Sequence, residues 1–511
     1  MIIYLKNIII FILILTFVGC KDWLDINHDP ENPEFVDEKY ALSAAISSLA
    51  FVYGGRLQIL GALWSQHWTQ APGASQYAGI DAYDINSSTF DNSVFVPLYA
   101  DALKNLEFVK TESQKKQSWN YYFIATVMQC YIYQLLVDLY DEIPFSEALN
   151  GDNGILHPRF EKGQDIYDSL FVRINKAMEK DVSATNLPSI GSEDLLFNGN
   201  MNNWKKFANT LKLKILLRQV YARRNFAMQK LIDLINDKNV KFLDIDVAMT
   251  QFVDETGRSN PLYESEIRTL GNNPNLVLSY TLYSYLSNNS DFERLNAMFN
   301  YPQVGGSHKA LIQGNFYDPN EFSGINSTYF SKPKINPIDP VYLMSLSESL
   351  LLQCEALIRT KTKSYQEAKS LYENAIEQSF IRLLSKKISN DSIIKLAQKF
   401  YSTGMKYEFP PEHSAEEDFI KAIIIQKWIA LAGIQSIETF FEHNRTHFPA
   451  ESKVPANDDN YVPGEFTVSI NNVTGNKFPK RLIIPLSEIS TNPYVPQIKD
   501  VTQKVWWDKK E

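Results

Sequence analysis

The sequence predicts a mainly α-helical protein built from stacked helix pairs, with long loop-rich regions and few short strands. Apolar residues recur every three or four positions through most of the chain, as in helices that bury one face. Two stretches, 64–91 and 272–340, are instead rich in Gly, Ser, Asn and aromatic residues and should form long irregular loops. The composition is that of a globular protein, with 44% hydrophobic and 21% charged residues.

The N-terminus predicts a secretory signal peptide at residues 1–19. An apolar run at 8–18 stops at Gly19 before Cys20. This run is too short to span a membrane, which takes about 20 apolar residues. The pattern resembles a bacterial lipobox, in which Cys20 becomes the first mature residue and carries acyl chains, although Phe17 stands where Leu is usual. An ordinary signal peptide with an incidental cysteine and an uncleaved anchor are the alternatives.

The segment after the predicted signal should be a tether. Residues 20–39 are acidic and interrupted by Pro30 and Pro33, which disfavour regular structure. Acyl chains on Cys20 would hold the protein on a bilayer, since each buried methylene contributes about 0.8 kcal/mol. We therefore expect a lipid-anchored tether at 20–39 that joins the membrane to a single domain at 40–511.

Charge and cysteine content narrow the class of protein. The formal charge is −9, and a nucleic-acid partner would require basic patches, so we expect no nucleic acid. Besides Cys20, the chain contains Cys130 and Cys354, each inside an apolar helical pattern that favours a small buried side chain. A disulfide between these two remains open, because sequence does not show proximity.

Helical periodicity marks nine segments in chain order: 40–61, 94–110, 118–139, 163–180, 203–222, 225–236, 340–360, 364–380 and 418–446. Gly54 and Gly55 should interrupt the first segment, and the last is long enough for one helix or two. Residues 477–508 should form short strands or loops.

The pair at 340–360 and 364–380 has the spacing of a tetratricopeptide repeat at its small and aromatic positions. Ala356, Ala368, Tyr372 and Ala375 carry this match, which lacks the usual aromatic and Gly of the first helix and the final Pro. A helical hairpin with ordinary alanine packing explains the pattern equally well. Both interpretations give stacked helix pairs, an architecture that supports binding more often than catalysis.

A series of short sequence landmarks runs through nearly the whole mature chain. They are LDIN at 24–27, DEIPFSEAL at 141–149, GNMNNWKKFANTLKLKILLR at 199–218, NPLY at 260–263, SLSESLLLQCEAL at 345–357, IIQKWIAL at 424–431, NRT at 444–446 and VWWD at 505–508. On these landmarks the chain resembles the SusD/RagB family of nutrient-binding lipoproteins, in particular its SusD-like subgroup. Phe440-Phe441 and Cys354 depart from the family's usual Trp and Ala.

The resemblance implies a fold and a role. It implies a tetratricopeptide-like helical scaffold with a loop-rich ligand-binding face above it. It also implies a lipid-anchored protein of the outer membrane that faces the cell exterior and captures an oligosaccharide, or a peptide in some relatives. The implied partner is a SusC-like TonB-dependent transporter that receives the ligand.

The loop at 64–91 is the predicted ligand site. Sugars present C–H faces that stack on aromatic rings and hydroxyls that amides and carboxylates bind. The predicted site residues of this loop are Trp64, Gln66, Trp68, Gln70, Tyr77, Asp81 and Tyr83. We expect Tyr77 and Tyr83 to be exposed, whereas Trp64 and Trp68, four residues apart, fit one face of a buried helix as well as a binding loop. Tyr317, in the second loop-rich stretch, is a further candidate.

The sequence does not predict an enzyme, a metal site or a cofactor. No pair of carboxylates is singled out, and there is no phosphate-binding Gly loop or nucleophile elbow. His443 and His447 share a helix spacing but lack a third ligand. Two functional classes remain: a non-catalytic ligand-capturing lipoprotein, and a structural or adaptor lipoprotein that binds a protein or peptide through its helix pairs.

Overall fold

The computed structural model describes residues 37–271, 275–317 and 325–511. The predicted signal peptide, Cys20 and all but the last residues of the tether lie outside the described residues. Within them the prediction of a mainly helical protein with few short strands is confirmed.

The first helical segment is interrupted where the two glycines predict it. Helix α1 spans Glu38–Val52, a π-helical turn spans Tyr53–Leu57, and α2 spans Gln58–Trp64. The widened turn brings the backbone against a neighbouring strand, where a Cβ on Gly54 would lie 2.4 Å from Val341 Cγ2. Glycine is therefore required there for close packing.

The remaining helices follow in chain order. They are α3 (Ala78–Asp81), α4 (Lys104–Lys116), α5 (Trp119–Tyr140), α6 (Gly163–Met178), α7 (Met201–Arg218), α8 (Arg224–Asn236), α9 (Pro261–Tyr263), α10 (Tyr280–Asn288), α11 (Phe292–Met298), α12 (Leu346–Thr360), α13 (Tyr365–Leu384), α14 (Asn390–Tyr401), α15 (Glu416–Ala430), α16 (Ser436–Thr446) and α17 (Leu486–Thr491). Further π-helical turns at Asp91–Phe95 and Pro97–Leu103 lead into α4.

Consecutive helices pack as pairs, most extensively α12 on α13. The small residues predicted to allow this approach are buried at the contact, and the Cys354 thiol lies 3.2 Å from the carbonyl oxygen of Ala368. Tyr372 donates from its hydroxyl to Tyr407 O at 3.1 Å. Ser364 and Glu367 form a capping box that starts α13.

Within the described ranges, eight short strands form four two-stranded antiparallel pairs. The pairs are β1 (Trp68–Gln70) with β5 (Leu276–Leu278), β2 (Ile143–Pro144) with β3 (Phe160–Glu161), β4 (Val247–Met249) with β8 (Val341–Met344), and β6 (Phe299–Asn300) with β7 (Lys332–Pro333).

Several boundaries differ from the predictions. The stretch predicted as loop at 272–340 contains α10 and α11, which begin at the capping side chains of Ser279 and Asp291. The segment 340–360 begins with β8 before its helix, and 418–446 forms two helices separated by a turn in which Gly433 has a φ of 77°. The C-terminal region contains α17 in addition to loops.

The main hydrophobic core of the described residues extends from Ala41 to Trp507, and two smaller hydrophobic clusters are separate from it. Two helical stretches, Glu38–Trp64 and Trp119–Tyr140, are long and apolar enough to span a membrane, but 78% and 94% of their most apolar windows are buried in the protein, as in core helices. Cys130 and Cys354 are buried free thiols, so the disulfide left open by the sequence is absent.

Ten charged side chains meet inside this core and form what we call the buried ion network. Its members are Asp138, Lys214, Arg218, Glu348, Glu355, Arg359, Lys427, Glu438, Glu442 and Arg445. The Lys214 ammonium lies 2.8 Å from Glu348 and 2.9 Å from Glu438. Burial raises the pKa of Asp138 to about 6 even though Arg218 lies 3.1 Å away.

Candidate functional site

The residues of the 64–91 loop that were predicted to bind ligand lie inside the protein. Trp64, Gln66, Trp68, Gln70, Tyr77, Asp81 and Tyr83 are all buried. The expectation that Tyr77 and Tyr83 are exposed is therefore wrong. The two tryptophans do not share a helix face either, since Trp64 ends α2 and Trp68 begins β1.

Asp81 is the centre of the polar contacts in this loop. Its carboxylate accepts from the hydroxyl of Thr69 at 2.7 Å, the backbone N–H of Gln70 at 2.6 Å and the side-chain amide of Gln313 at 2.8 Å. Burial raises the pKa of Asp81 to about 6, although these donors favour its charged form. The carboxylate thus holds segments from two distant parts of the chain together.

Gln66 and Gln70 act in the same way. The Gln66 amide donates to Thr467 O at 2.7 Å, and its oxygen accepts from the Thr281 hydroxyl at 2.6 Å. Gln70 accepts from the backbone N–H of Tyr77 at 2.8 Å. Since these polar atoms are already paired within the protein, they hold loops in place in this structure, and contact with a ligand would require breaking those bonds.

The aromatic residues of the loop pack against the helical core. Trp64 donates its indole N–H to Ile80 O at 2.9 Å, and its ring lies 5.0 Å from that of Phe440. The Tyr83 hydroxyl accepts from the backbone N–H of Ser469 at 3.3 Å. These residues of the loop therefore pack between the helical core and other loop segments.

Tyr317 differs from the other predicted residues because it lies at the surface. The residue is 60% exposed, and its ring contacts the buried ring of Phe316 at 4.5 Å. Its role in ligand binding stays a prediction.

A cavity of about 560 Å³ lies next to the loop, at Trp68. Its walls come from β7 and β8, the end of α13 and the turn at Gly433, and Trp68 reaches one wall. This volume lies within the range of small-molecule and oligosaccharide sites. We call it the β7–α13 cavity.

The β7–α13 cavity has both apolar and polar lining. Apolar residues include Leu262, Met298, Ile335, Val341, Ile381 and Ile434. Polar residues include Asp246, Lys334, Asp339, Tyr342, Gln378 and Arg382. This mixture can bury the C–H face of a sugar and bind its hydroxyls.

An exposed aromatic ring lies two residues after Phe299, which lines this cavity. Tyr301 follows β6, is 54% exposed and stacks on His308 with 4.4 Å between ring centroids. Its hydroxyl donates to the Asn296 side chain at 3.1 Å, and His308 contacts the same oxygen at 2.9 Å. The ring is thus fixed in orientation, and we call this group the Tyr301 platform.

Hydrogen bonds connect the platform to the cavity and to the predicted loop. Lys334, which lines the cavity, donates to Asn296 O at 2.5 Å. His308 contacts the Ser331 hydroxyl at 2.8 Å, and Ser331 O accepts from Leu278 N, the residue paired with Trp68. The strand that begins at Trp68 is therefore connected to the Tyr301 platform through Leu278 and Ser331.

Sequence reasoning missed the Tyr301 platform. A signal was available, because Tyr301 is an aromatic residue directly before a Pro and two glycines at 302–306. Such breakers favour an irregular surface segment, where an aromatic residue is not needed for the core.

No group of three or more His, Cys, Asp or Glu residues suited to a metal occurs within the described ranges. His443 is buried and its Nδ1 lies 3.0 Å from Pro449 O, so this ring has a structural partner.

The fold and the site define a helical protein of paired helices that carries a ligand-sized cavity beneath a loop layer. A family model described as "Starch-binding associating with outer membrane" matches residues 30–467. The chain belongs to this family, the SusD-like family, which confirms the resemblance found in the sequence.

Solved structures of SusD homologues have the same fold. One from Bacteroides uniformis is 21% identical with a TM-score of 0.72, and the match covers 92% of this chain and all of that one. A chitin-binding SusD homologue from Flavobacterium johnsoniae is 17% identical with a TM-score of 0.72, and the match covers 91% and 98% of the two chains. Another solved structure, of a chitin-binding protein, is 20% identical with a TM-score of 0.73, and the match covers 93% of this chain and all of that one. No curated protein matches the sequence.

Proposed function

We propose that this protein is a surface-exposed, lipid-anchored receptor that captures a nutrient oligosaccharide and delivers it, without cleaving it, to a SusC-like TonB-dependent transporter in the outer membrane. The observation that carries the proposal is the Tyr301 platform together with the β7–α13 cavity. An exposed ring held in one orientation provides a stacking surface for a sugar, and the cavity supplies groups that bind hydroxyls. The family is described as starch-binding, and two solved relatives are described as chitin-binding. Both descriptions support the same class of ligand.

The carboxylates of the cavity support a role in binding and not in catalysis. Asp246 accepts from the backbone N–H of Leu346 at 2.7 Å, and Asp339 accepts from that of Asn336 at 2.8 Å. Both therefore stabilise the backbone around the cavity. We expect chromatography of oligosaccharides incubated with the purified protein to show no shorter products, and product formation would refute the non-catalytic role.

The ligand site is tested by replacing the exposed ring. We expect Tyr301→Ala to weaken oligosaccharide binding about tenfold, which corresponds to about 1.4 kcal/mol, because the stacking surface is lost. Calorimetry against a panel of neutral and acidic tetrasaccharides measures this effect.

The matched control is Tyr494→Ala. Tyr494 is 51% exposed and contacts Arg159, away from the cavity lining. Its replacement should leave affinity unchanged. Equal losses of oligosaccharide affinity in both variants, or no loss in either, would show that the Tyr301 platform is not part of the ligand site.

The anchor is tested at Cys20. We expect wild-type protein to fractionate with outer membranes and Cys20→Ala to appear in the soluble fraction, because the acyl chains supply the membrane affinity. Mass spectrometry of the N-terminal peptide identifies the acyl groups directly. A large β-barrel protein co-purifying with the wild type from mild detergent would support the transporter partner, and its absence after cross-linking would argue against it.

An adaptor that binds a protein or peptide through its helix pairs is the second candidate function. A groove of about 490 Å³ between α8, α12 and α13, lined by Phe242, Leu357 and Leu371, favours it. A flat calorimetric response to the whole oligosaccharide panel would support the adaptor and refute the receptor.

A further inference from the structure

The β7–α13 cavity is lined by cationic side chains from two sides. Lys334 follows β7 on one side, while Arg382 lies near the end of α13 and is followed by Lys386 and Lys387 in the turn beyond that helix. The whole chain has a formal charge of −9. Four cations at one cavity therefore differ from the general charge of the molecule.

The carboxylates of this cavity do not neutralise the cations. Asp246 and Asp339 line it, which leaves an excess of two positive charges from four cations and two anions. Each carboxylate accepts from the backbone, as described above, and Asp339 also accepts from the Asn336 amide at 3.1 Å. Both oxygens of Asp339 and the Oδ1 of Asp246 are thus engaged in holding local structure.

Among the described residues, neither Arg382 nor Lys334 lies within ion-pair distance of a carboxylate. Arg382 donates to Ala430 O at 2.8 Å and, among the residues that the structure describes, forms no ion pair. Lys334 donates to a backbone carbonyl oxygen, that of Asn296. Burial lowers the pKa of Arg382 more than Asp246 and Asp339 raise it, and burial together with Lys387 lowers the pKa of Lys334. An anion in the cavity would relieve this cost.

We propose that the β7–α13 cavity binds an acidic oligosaccharide, in which carboxylate or sulfate groups lie against Arg382, Lys386 and Lys387 while a sugar ring stacks on Tyr301. The inference rests on the proposed function and specifies its substrate class. A planar guanidinium with free N–H groups matches carboxylate and sulfate oxygens, and flanking ammonium groups attract further negative charge.

Calorimetry with matched tetrasaccharides tests the inference. The acidic probes are tetragalacturonate, tetramannuronate and a heparin tetrasaccharide, and the neutral probes are maltotetraose, cellotetraose and chitotetraose. We expect at least one acidic probe to bind at least tenfold more tightly than every neutral one. Its affinity should fall severalfold between 50 and 300 mM NaCl, because salt screens partly exposed charges.

Two variants identify the cations responsible. Arg382→Gln and the double variant Lys386→Gln/Lys387→Gln should each weaken acidic-probe binding about tenfold. The double variant changes only exposed side chains, so its folding is not in question. Lys395→Gln/Lys399→Gln, which removes two exposed lysines from α14, is the matched control and should bind normally.

The other outcomes separate the inference from the proposed function. Binding of neutral probes alone would overturn the acidic class and leave the receptor function standing. Acidic binding that survives both cation variants would also overturn the inference. No binding of any sugar would refute both proposals, and tighter binding of hexaglutamate than of any sugar would assign the cavity to an acidic peptide.

Discussion

Glu266 is a carboxylate buried without an ionic partner within the described residues. Its Oε1 accepts from the backbone N–H groups of Asn275 and Leu276, while its Oε2 is buried without a hydrogen bond. Burial raises its pKa to about 7. The side chain therefore costs stability when it is ionised, yet it fixes the start of β5.

We expect Glu266→Gln to stabilise the protein above neutral pH. A raised folded-state pKa means that wild-type stability declines as pH rises from about 4.5 to about 7. The amide keeps an acceptor for the two N–H groups and carries no charge. The advantage of the variant should grow by about 2 kcal/mol between pH 5 and pH 8.

Urea unfolding of both proteins at these two pH values measures the difference. A constant difference across pH would show that Glu266 has the same pKa in the folded and unfolded proteins, so that burial does not raise it.

At the residue scale, the sequence predicts which polar and aromatic side chains the 64–91 loop contains, but not whether they face a ligand or the protein interior. A cluster of Gln, Asp, Trp and Tyr can bind a sugar, or it can satisfy its own backbone, and both tasks use the same side chains. Asp81 shows why the second occurred, since its three donors come from residues 69, 70 and 313. The partner at 313 is far away in sequence and could not be foreseen.

Helices α2 and α16 approach so closely that a glycine is required between them. A Cβ on Gly61 would lie 2.1 Å from the backbone nitrogen of Ile437 and 2.4 Å from the carbonyl carbon of Ser436. Backbone atoms cannot move aside as a flexible side chain can. We expect Gly61→Ala to reduce the free energy of unfolding by at least about 2 kcal/mol through overpacking.

Thermal unfolding by circular dichroism is a suitable measurement. Gly151→Ala is the control, since a Cβ there meets no atom within 4 Å, and its effect should stay within about 0.5 kcal/mol. Equal effects of the two substitutions would mean that the helices separate more easily than their packing indicates.

Helices with strong apolar periodicity were predicted well, and α5, α6 and α7 lie within a few residues of the predicted segments. The shorter α10 and α11 were not, because Tyr, Ser and Asn dominate α10 and local capping decides where both begin. Tertiary contacts stabilise these two helices, and the periodicity of a single sequence does not reveal such contacts.

For the whole molecule, the buried ion network joins residues from several of the sequence landmarks. Lys214 and Arg218 come from one landmark, Glu348 and Glu355 from another, and Arg445 from a third. These residues are dispersed along the chain and meet in the core. The resemblance was therefore recognisable from end to end, whereas the pairing itself required coordinates.

We expect Arg218→Met to destabilise the whole protein by about 3–5 kcal/mol. Arg218 lies 2.6 Å from Glu442, 2.7 Å from Glu438 and 3.1 Å from Asp138, and its removal leaves buried carboxylates without compensation. Urea unfolding measures the loss.

Arg258→Met provides the comparison, because Arg258 forms an equally short pair with Glu255 at 2.6 Å but is exposed. That pair should contribute less than about 1 kcal/mol. Similar losses at both positions would indicate that the network contributes no more than a surface pair.

The Tyr301 ring stacks on that of His308, and both side chains contact the side-chain oxygen of Asn296. Little side-chain freedom is therefore lost when a ligand stacks on the ring, so the entropic cost of binding at this position is small. For the receptor proposed above, a ring that is already oriented means that ligand association needs no slow rearrangement of this side chain.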